Sequence, residues 1–183
     1  VFAADPQVAA QHRTQERLAA QRARYAPDRW AATRAVQAGV TVGQGESLLR
    51  LVDAEYIAPP DHGAMLQGAR AQLQALLGVE AVGATGVLPR GSVQAAGIDA
   101  LVEGFLALVR DAVAAGVPQD MAVVEGITGA FAALDPYTVA VWPAELARWE
   151  AHHAGVVLGV GLGLELGPEG EVVVSRVDEG SPA

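Results

Sequence analysis

The sequence predicts a mainly α-helical chain of stacked helical hairpins that ends in a β hairpin. Apolar residues recur at helical spacing, between Pro and Gly breaks, as far as about residue 153. From Gly155 the pattern changes to a glycine-punctuated run and then a Val-rich strand. Hydrophobic residues make up 51% of the 183 residues and aromatic residues only 5%, so the core must consist mainly of Ala, Val and Leu.

The first 38 residues are rich in Ala, Gln and Arg, which favour helix. They predict one helix from about Pro6 to Tyr25 and a break at Pro27. We expect a second helix with Asp28 as its N-cap, running to Gln37.

Further helices follow at regular intervals along the chain. Four are expected: from near Glu46 to Tyr56, from the N-cap Asp61 to Leu77, from Ile98 to Ala115, and from Asp120 to Leu134. Residues 79–97 form a long glycine-rich connection between the second and third of these. A turn at Asp135-Pro136-Tyr137, with Asp135 capping it and Tyr137 packed, leads to a short helix from Pro143.

The two central pairs of helices form a weak repeat. A shift of 58 residues aligns 48–77 with 106–135 without a gap and gives 8 identities in 30 positions. In a chain so rich in Ala and Leu, the shared helix–Pro turn–helix layout carries more weight than the identities. We therefore expect two stacked αα-hairpins.

The last part of the chain predicts a β hairpin. Residues 156–166 alternate glycines with aliphatic residues, residues 167–170 read as a turn, and residues 171–177 read as a strand. The spacing of Gly159, Gly161 and Gly163 does not fit a dinucleotide-binding fingerprint, because a strand follows where a helix should begin.

Composition excludes several kinds of chemistry within these residues. There is no cysteine, and all 12 basic residues are Arg, so thiolate, P-loop lysine and Ser–Lys sites are excluded. The net charge of −9 argues against nucleic acid as a partner. Residues 1–34 nevertheless carry +3, from six Arg against three acids, so this segment could meet an acidic surface, although a solvated helix face is the favoured interpretation.

No residue of this chain is predicted to be catalytic or to bind a metal or cofactor. The neighbouring His152 and His153 point in different directions and lack a third ligand at a suitable spacing. The four serines have no His–Asp pattern around them. Trp142 and Trp149 lie seven residues apart and are interpreted as core or interface anchors. The longest apolar run, residues 156–164, is too short to span a membrane.

Several segments occur in the order found in one protein family. They are Glu125-Gly126-Ile127-Thr128-Gly129-Ala130-Phe131-Ala132-Ala133-Leu134-Asp135-Pro136-Tyr137-Thr138, Trp142-Pro143-Ala144-Glu145-Leu146, Leu158-Gly159-Val160-Gly161-Leu162 and Val177-Asp178-Glu179-Gly180-Ser181-Pro182-Ala183. This order resembles the carboxyl-terminal processing (tail-specific) serine proteases, in which such a helix leads into a PDZ domain. Residues 48–77 are also similar to the helical lead-in of that family. Thr138 stands where the family often has Ser.

The resemblance implies a peptide-binding loop in the glycine-rich run. Gly159, Val160, Gly161 and Leu162 would bind the C-terminal carboxylate of a peptide through backbone N–H groups, and the peptide would add a strand to the sheet. Alternatively, the glycines only allow the first strand to pack closely on the helical region.

The resemblance also implies an organisation and a function. We expect an N-terminal arm (residues 1–38), a helical region (39–154) and an incomplete PDZ domain (155–183). The chain would be the regulatory, homodimerising part of a serine endopeptidase that cleaves proteins near their C-termini. Its Ser–Lys pair would lie outside these residues. The alternatives are a non-enzymatic helical scaffold or peptide-binding protein, and a family member without a protease domain.

The opening residues predict the compartment. Val1 and Ala3 match the small-residue pattern before a signal-peptide cleavage site, so the mature chain would start at Ala4. Together with the absence of cysteine, this favours a periplasmic or other extracytoplasmic protein.

Overall fold

The computed structural model describes residues 6–89, 95–135, 137–154, 161–167, 171–177 and 179–180. In these residues the chain is mainly helical and has one two-stranded antiparallel sheet. The elements are α1 (Pro6–Arg24), α2 (Trp30–Gln37), α3 (Val42–Glu55), α4 (His62–Leu76), α5 (Ile98–Ala114), α6 (Gln119–Phe131), α7 (Pro143–His153), β1 (Leu162–Leu166) and β2 (Val172–Val177). A 3₁₀ turn, Glu80–Val82, lies in the long connection after α4.

The chain divides into two compact units, residues 1–144 and 145–183. The first unit contains α1 to α6, and the second contains most of α7 and the β hairpin. The expected domain limits at residues 38 and 154 stay predictions.

In the first unit, α4 and α6 lie at the centre. α5 packs against both, α3 packs against α5 and α6, α1 lies on α4, and α2 lies on α6. The core between these helices is aliphatic with few aromatic residues, as the composition predicts. Its fully buried side chains include Leu49, Met65, Leu73, Leu76, Leu101, Phe105, Met121 and Ile127.

The expected stacking of two helical hairpins is only partly correct. α5 and α6 do pack on each other, but α3 packs on α5 and α6 rather than on α4. The reason is the small surface of α3 at Gly45, where an added Cβ would lie 3.0 Å from Val123 and 3.1 Å from Phe105. A short hydrogen bond joins α3 to the start of α4, between Asp53 Oδ1 and His62 Nε2 at 2.6 Å.

The N-caps of α4, α3 and α2 agree with the sequence prediction to different degrees. Asp61 caps α4 as expected, since its Oδ1 accepts from the Ala64 N–H at 2.9 Å. α3 begins at Val42, four residues before the expected start, because Thr41 and Gln44 form a capping box. Asp28 was expected to cap α2, and this is wrong.

The residues before α2 show why Asp28 has no capping role. The N–H groups of Arg29 and Trp30 both bond to the Ala26 carbonyl, so neither of these two donors is left for the Asp28 side chain. Arg29 is the N-cap residue and makes no side-chain capping bond.

The aromatic residues after α6 do not share one environment. Trp142 is buried in the core of the first unit, whereas Trp149 is 43% exposed and stacks on His153 with 3.7 Å between ring centroids. Tyr137 is 87% exposed, so the expectation that it packs is wrong. The turn itself is confirmed at Asp135, while Pro136 lies outside the described residues.

The β hairpin is confirmed. β1 and β2 pair antiparallel, with Leu162 opposite Val177 and Leu164 opposite Val174. A bulge in β2 leaves Ser175 without a partner in β1. At the turn end of the hairpin, the Gly167 N–H donates to the Glu171 carbonyl at 2.8 Å.

Candidate functional site

Two of the four predicted peptide-binding residues belong to the described part of the chain. Gly159 and Val160 lie outside the described residues. Gly161 has a φ of 75°, a left-handed conformation that favours glycine, and Leu162 begins β1. Gly161 therefore redirects the backbone just before β1.

One face of the hairpin is apolar throughout the side chains that the structure describes. Directly opposed residues share a face, and residues two apart along one strand do so as well. This apolar face consists of Leu162, Leu164, Val172, Val174 and Val177, whose exposed fractions range from 40% to 67%.

The bulge keeps this face continuous. Val174 and Val177 are three residues apart, and in a regular strand they would point to opposite sides. The unpaired Ser175 shifts the register by one residue, so both valines oppose leucines of β1. The opposite face carries Glu165 and Arg176 together with Val173, so it is more polar than the first.

A second candidate site lies inside the helical unit, around Glu125 of α6. Its side chain is fully buried, and its carboxylate accepts hydrogen bonds from two elements. Oε1 accepts from the Tyr25 hydroxyl at 2.8 Å and pairs with the Arg24 guanidinium. Oε2 accepts from Gln72 Nε2 at 2.7 Å and from Gln21 Nε2 at 3.0 Å. We refer to these five residues, with Gln37, as the Glu125 cluster.

The outer part of the cluster fixes the hydroxyl of Tyr25. Gln37 Nε2 donates to this oxygen at 2.6 Å, so the hydroxyl proton is directed at Glu125. Burial, and next the negative charge of Glu125, raise the pKa of Tyr25 well above its usual range. Gln21 Nε2 also donates to the Gln72 carbonyl at 2.9 Å, while Gln21 Oε1 has no hydrogen-bond partner among the described residues.

The sequence contains a signal for this cluster that the helical spacing of apolar residues does not reveal. Glu125 interrupts the apolar run from Met121 to Ile127, and a carboxylate in a buried helix needs partners. Gln21, Arg24 and Tyr25 follow one another at the i, i+3, i+4 spacing of a single helix face. The missing information was which helix would lie opposite α6.

A further carboxylate, Asp135, organises the turn after α6. Its Oδ1 accepts from the backbone N–H groups of Tyr137 at 2.6 Å and Thr138 at 2.7 Å. Its Oδ2 accepts from the Thr138 hydroxyl at 2.6 Å and the Tyr56 hydroxyl at 2.5 Å. The Thr138 hydroxyl, and next that of Tyr56, hold the pKa of Asp135 well below its usual range. Each of these partners is a hydrogen-bond donor to the carboxylate. We therefore interpret Asp135 as a structural residue that stabilises the turn and joins it to Tyr56.

Within the part of the chain that the structure describes, the His152–His153 pair does not form a metal site. His152 and His153 lie in the last turn of α7, and the ring of His153 is engaged with Trp149. Within the described part of the chain, no group of three or more His, Asp or Glu residues could hold a metal ion. No described helix combines the length and the hydropathy that crossing a membrane requires.

Comparisons with known proteins do not assign the chain to a family: no family model, no curated protein and no solved structure matches it. The resemblance to tail-specific proteases therefore rests on the ordered motifs of the sequence.

Proposed function

We propose that this chain is the N-terminal regulatory and dimerisation part of a tail-specific serine endopeptidase, acting outside the cytoplasm. Its catalytic domain would lie beyond these residues. The hairpin would be the start of a PDZ domain that binds the C-terminal ends of protein substrates. A non-enzymatic helical protein that binds peptides is the second candidate.

The apolar face of the hairpin is the observation that supports the proposal most. An isolated two-stranded hairpin is marginally stable in water, and one with an apolar face needs further strands or a helix over that face. A PDZ domain would supply such a cover and would leave a strand edge for the substrate. The left-handed Gly161 just before β1 agrees with a loop that turns its N–H groups toward an anion.

Peptide binding tests the proposal directly. We would express the complete open reading frame and titrate it into a fluorescently labelled peptide with an apolar C-terminal residue, either as the free acid or as the amide. Because hydrogen bonds to a charged group contribute about 1.5–3 kcal/mol, the free acid should bind roughly tenfold or more tightly. Equal affinity for the two peptides would contradict the carboxylate-binding loop.

Two hairpin variants make the test specific. Leu162→Asp introduces a charge on the apolar face at the start of β1 and should abolish binding. Glu165→Gln changes the opposite face and should leave the affinity unchanged. The open reading frame distinguishes the two candidates. A downstream Ser–Lys hydrolase domain supports the endopeptidase, and peptide binding without such a domain supports the non-enzymatic protein.

A further inference from the structure

We propose that α1 and α2 form a releasable arm, for which Glu125 is the latch. In this proposal the two helices open together from a folded core of α3 to α6. The Glu125 cluster determines how often they open. The proposal concerns the conformation of the helical unit and is independent of peptide binding by the hairpin.

The first argument is where the hydrogen bonds of Glu125 come from. Among the described residues, three of the four hydrogen-bond partners of Glu125 belong to the N-terminal arm: Gln21, Arg24 and Tyr25. Only Gln72 belongs to the core. A single core carboxylate therefore holds the end of α1 and the residue that follows it.

The second argument is that few apolar side chains attach the arm. Among the side chains of the arm that the structure describes (residue 12 and residues 15–37), Tyr25 is the one buried hydrophobic side chain, and its hydroxyl bonds to Glu125. Leu18, Trp30 and Val36 are only partly buried against the core. Segments with few buried apolar contacts open at a lower free energy than the core around them.

A second ion pair has the same arrangement. Nη2 of Arg34 in α2 donates to both carboxylate oxygens of Asp120, each at 2.9 Å. Asp120 lies in the first turn of α6, where a negative charge is favourable. Both helices of the arm are thus joined to α6 by a charged pair, and neither pair contributes to the contacts among α3 to α6.

The third argument concerns the state in which the arm is open. Release would expose Glu125 to water while its bond to Gln72 Nε2, at 2.7 Å, could persist. The carboxylate would not remain buried without a partner, which is the costly outcome when one member of a buried pair is removed. Gly39, with a φ of 81° and no atom within 4 Å of an added Cβ, lies between α2 and α3, where the chain would pivot.

Hydrogen exchange on the complete chain, followed by mass spectrometry, tests the latch. In the unmodified protein, the amides of α1 and α2 should exchange together and faster than those of α4 to α6. Glu125→Gln removes the charge and turns an amide NH₂ toward the donors of Gln21 and Gln72. This should accelerate exchange in the arm by roughly tenfold or more, since hydrogen bonds to a charged group are stronger than those to a neutral one. Exchange in α4 to α6 should change far less.

Controls separate a latch from general destabilisation. Glu103→Gln is the same change at an exposed position of α5 and should leave exchange in the arm unchanged. If Glu125→Gln fails to fold, Arg24→Gln tests the same bond from the arm, with the exposed Arg22→Gln as its match. The proposal is overturned if arm and core accelerate equally, or if the arm exchanges as slowly as in the control variants.

Discussion

At Gly129 and Gly68, hydrogen atoms in place of side chains determine how closely α6 and α4 approach. A Cβ added to Gly129 would lie 2.4 Å from the Gly68 carbonyl oxygen, and one added to Gly68 would lie 2.2 Å from that of Gly129. Both obstacles are backbone atoms, which cannot move without shifting a helix. The central helix pair therefore depends on two residues whose role a single sequence does not reveal.

Gly129→Ala should destabilise the protein by about 1–3 kcal/mol, the usual cost of overpacking a core. The free energy of unfolding, measured by urea denaturation, checks this value. Gly43→Ala is the matched control, because Gly43 lies in α3 and its Cβ would meet only Thr41 Oγ1 at 4.0 Å. That change should be neutral or stabilising by up to about 1 kcal/mol, since Ala favours helix. Equal destabilisation by both variants would contradict the importance of close packing.

At the scale of the helices, Thr41 caps α3 in the structure, whereas Asp28 was expected to cap α2 and does not. Thr41 accepts from the Gln44 N–H and Gln44 Oε1 accepts from the Thr41 N–H, which starts α3. Thr41→Ala should therefore lower the free energy of unfolding by about 0.5–2 kcal/mol. Asp28→Ala should change it by less than about 0.5 kcal/mol, because Asp28 caps no helix. Thermal and urea unfolding of the two variants give the comparison, and a larger loss for Asp28→Ala would contradict the observed start of α2.

The positions of most elements follow from local chemistry, which explains why the predicted positions of the helices are confirmed. Proline and glycine breaks, apolar spacing and the Asp61 cap predict the helices to within a few residues, because these signals act over one or two turns. The partner of α3 was predicted incorrectly, since contact at Gly45 depends on residues far along the chain. The same limit concealed the Glu125 cluster, whose members are separated by up to 104 residues.

At the scale of the whole molecule, the Glu125 cluster links the stability of the helical unit to pH. The folded unit keeps Tyr25 protonated, because burial and the neighbouring carboxylate of Glu125 raise its pKa. Arg24 and the amide of Gln37 oppose this effect and are outweighed. In the unfolded chain the hydroxyl regains an ordinary pKa of about 10.

The sign of the effect follows from this difference. Below about pH 10 both states carry the proton, and the contribution of Tyr25 to stability is fully present. As the pH rises further, the unfolded state loses the proton while the folded state retains it. The free energy of unfolding should then fall by up to about 1.4 kcal/mol per pH unit for this group.

Urea denaturation at several pH values between about 8 and 11 tests the prediction. Tyr56, whose pKa is raised by its hydrogen bond to Asp135, adds to the slope, so the comparison must be made between variants. Tyr25→Phe should start from a lower stability, having lost the bond to Glu125, and should show a shallower decline above about pH 10. Tyr137→Phe, at a position that is 87% exposed, should keep the slope of the unmodified protein. If Tyr25→Phe declines as steeply as Tyr137→Phe, the buried hydroxyl does not control the alkaline stability of the helical unit.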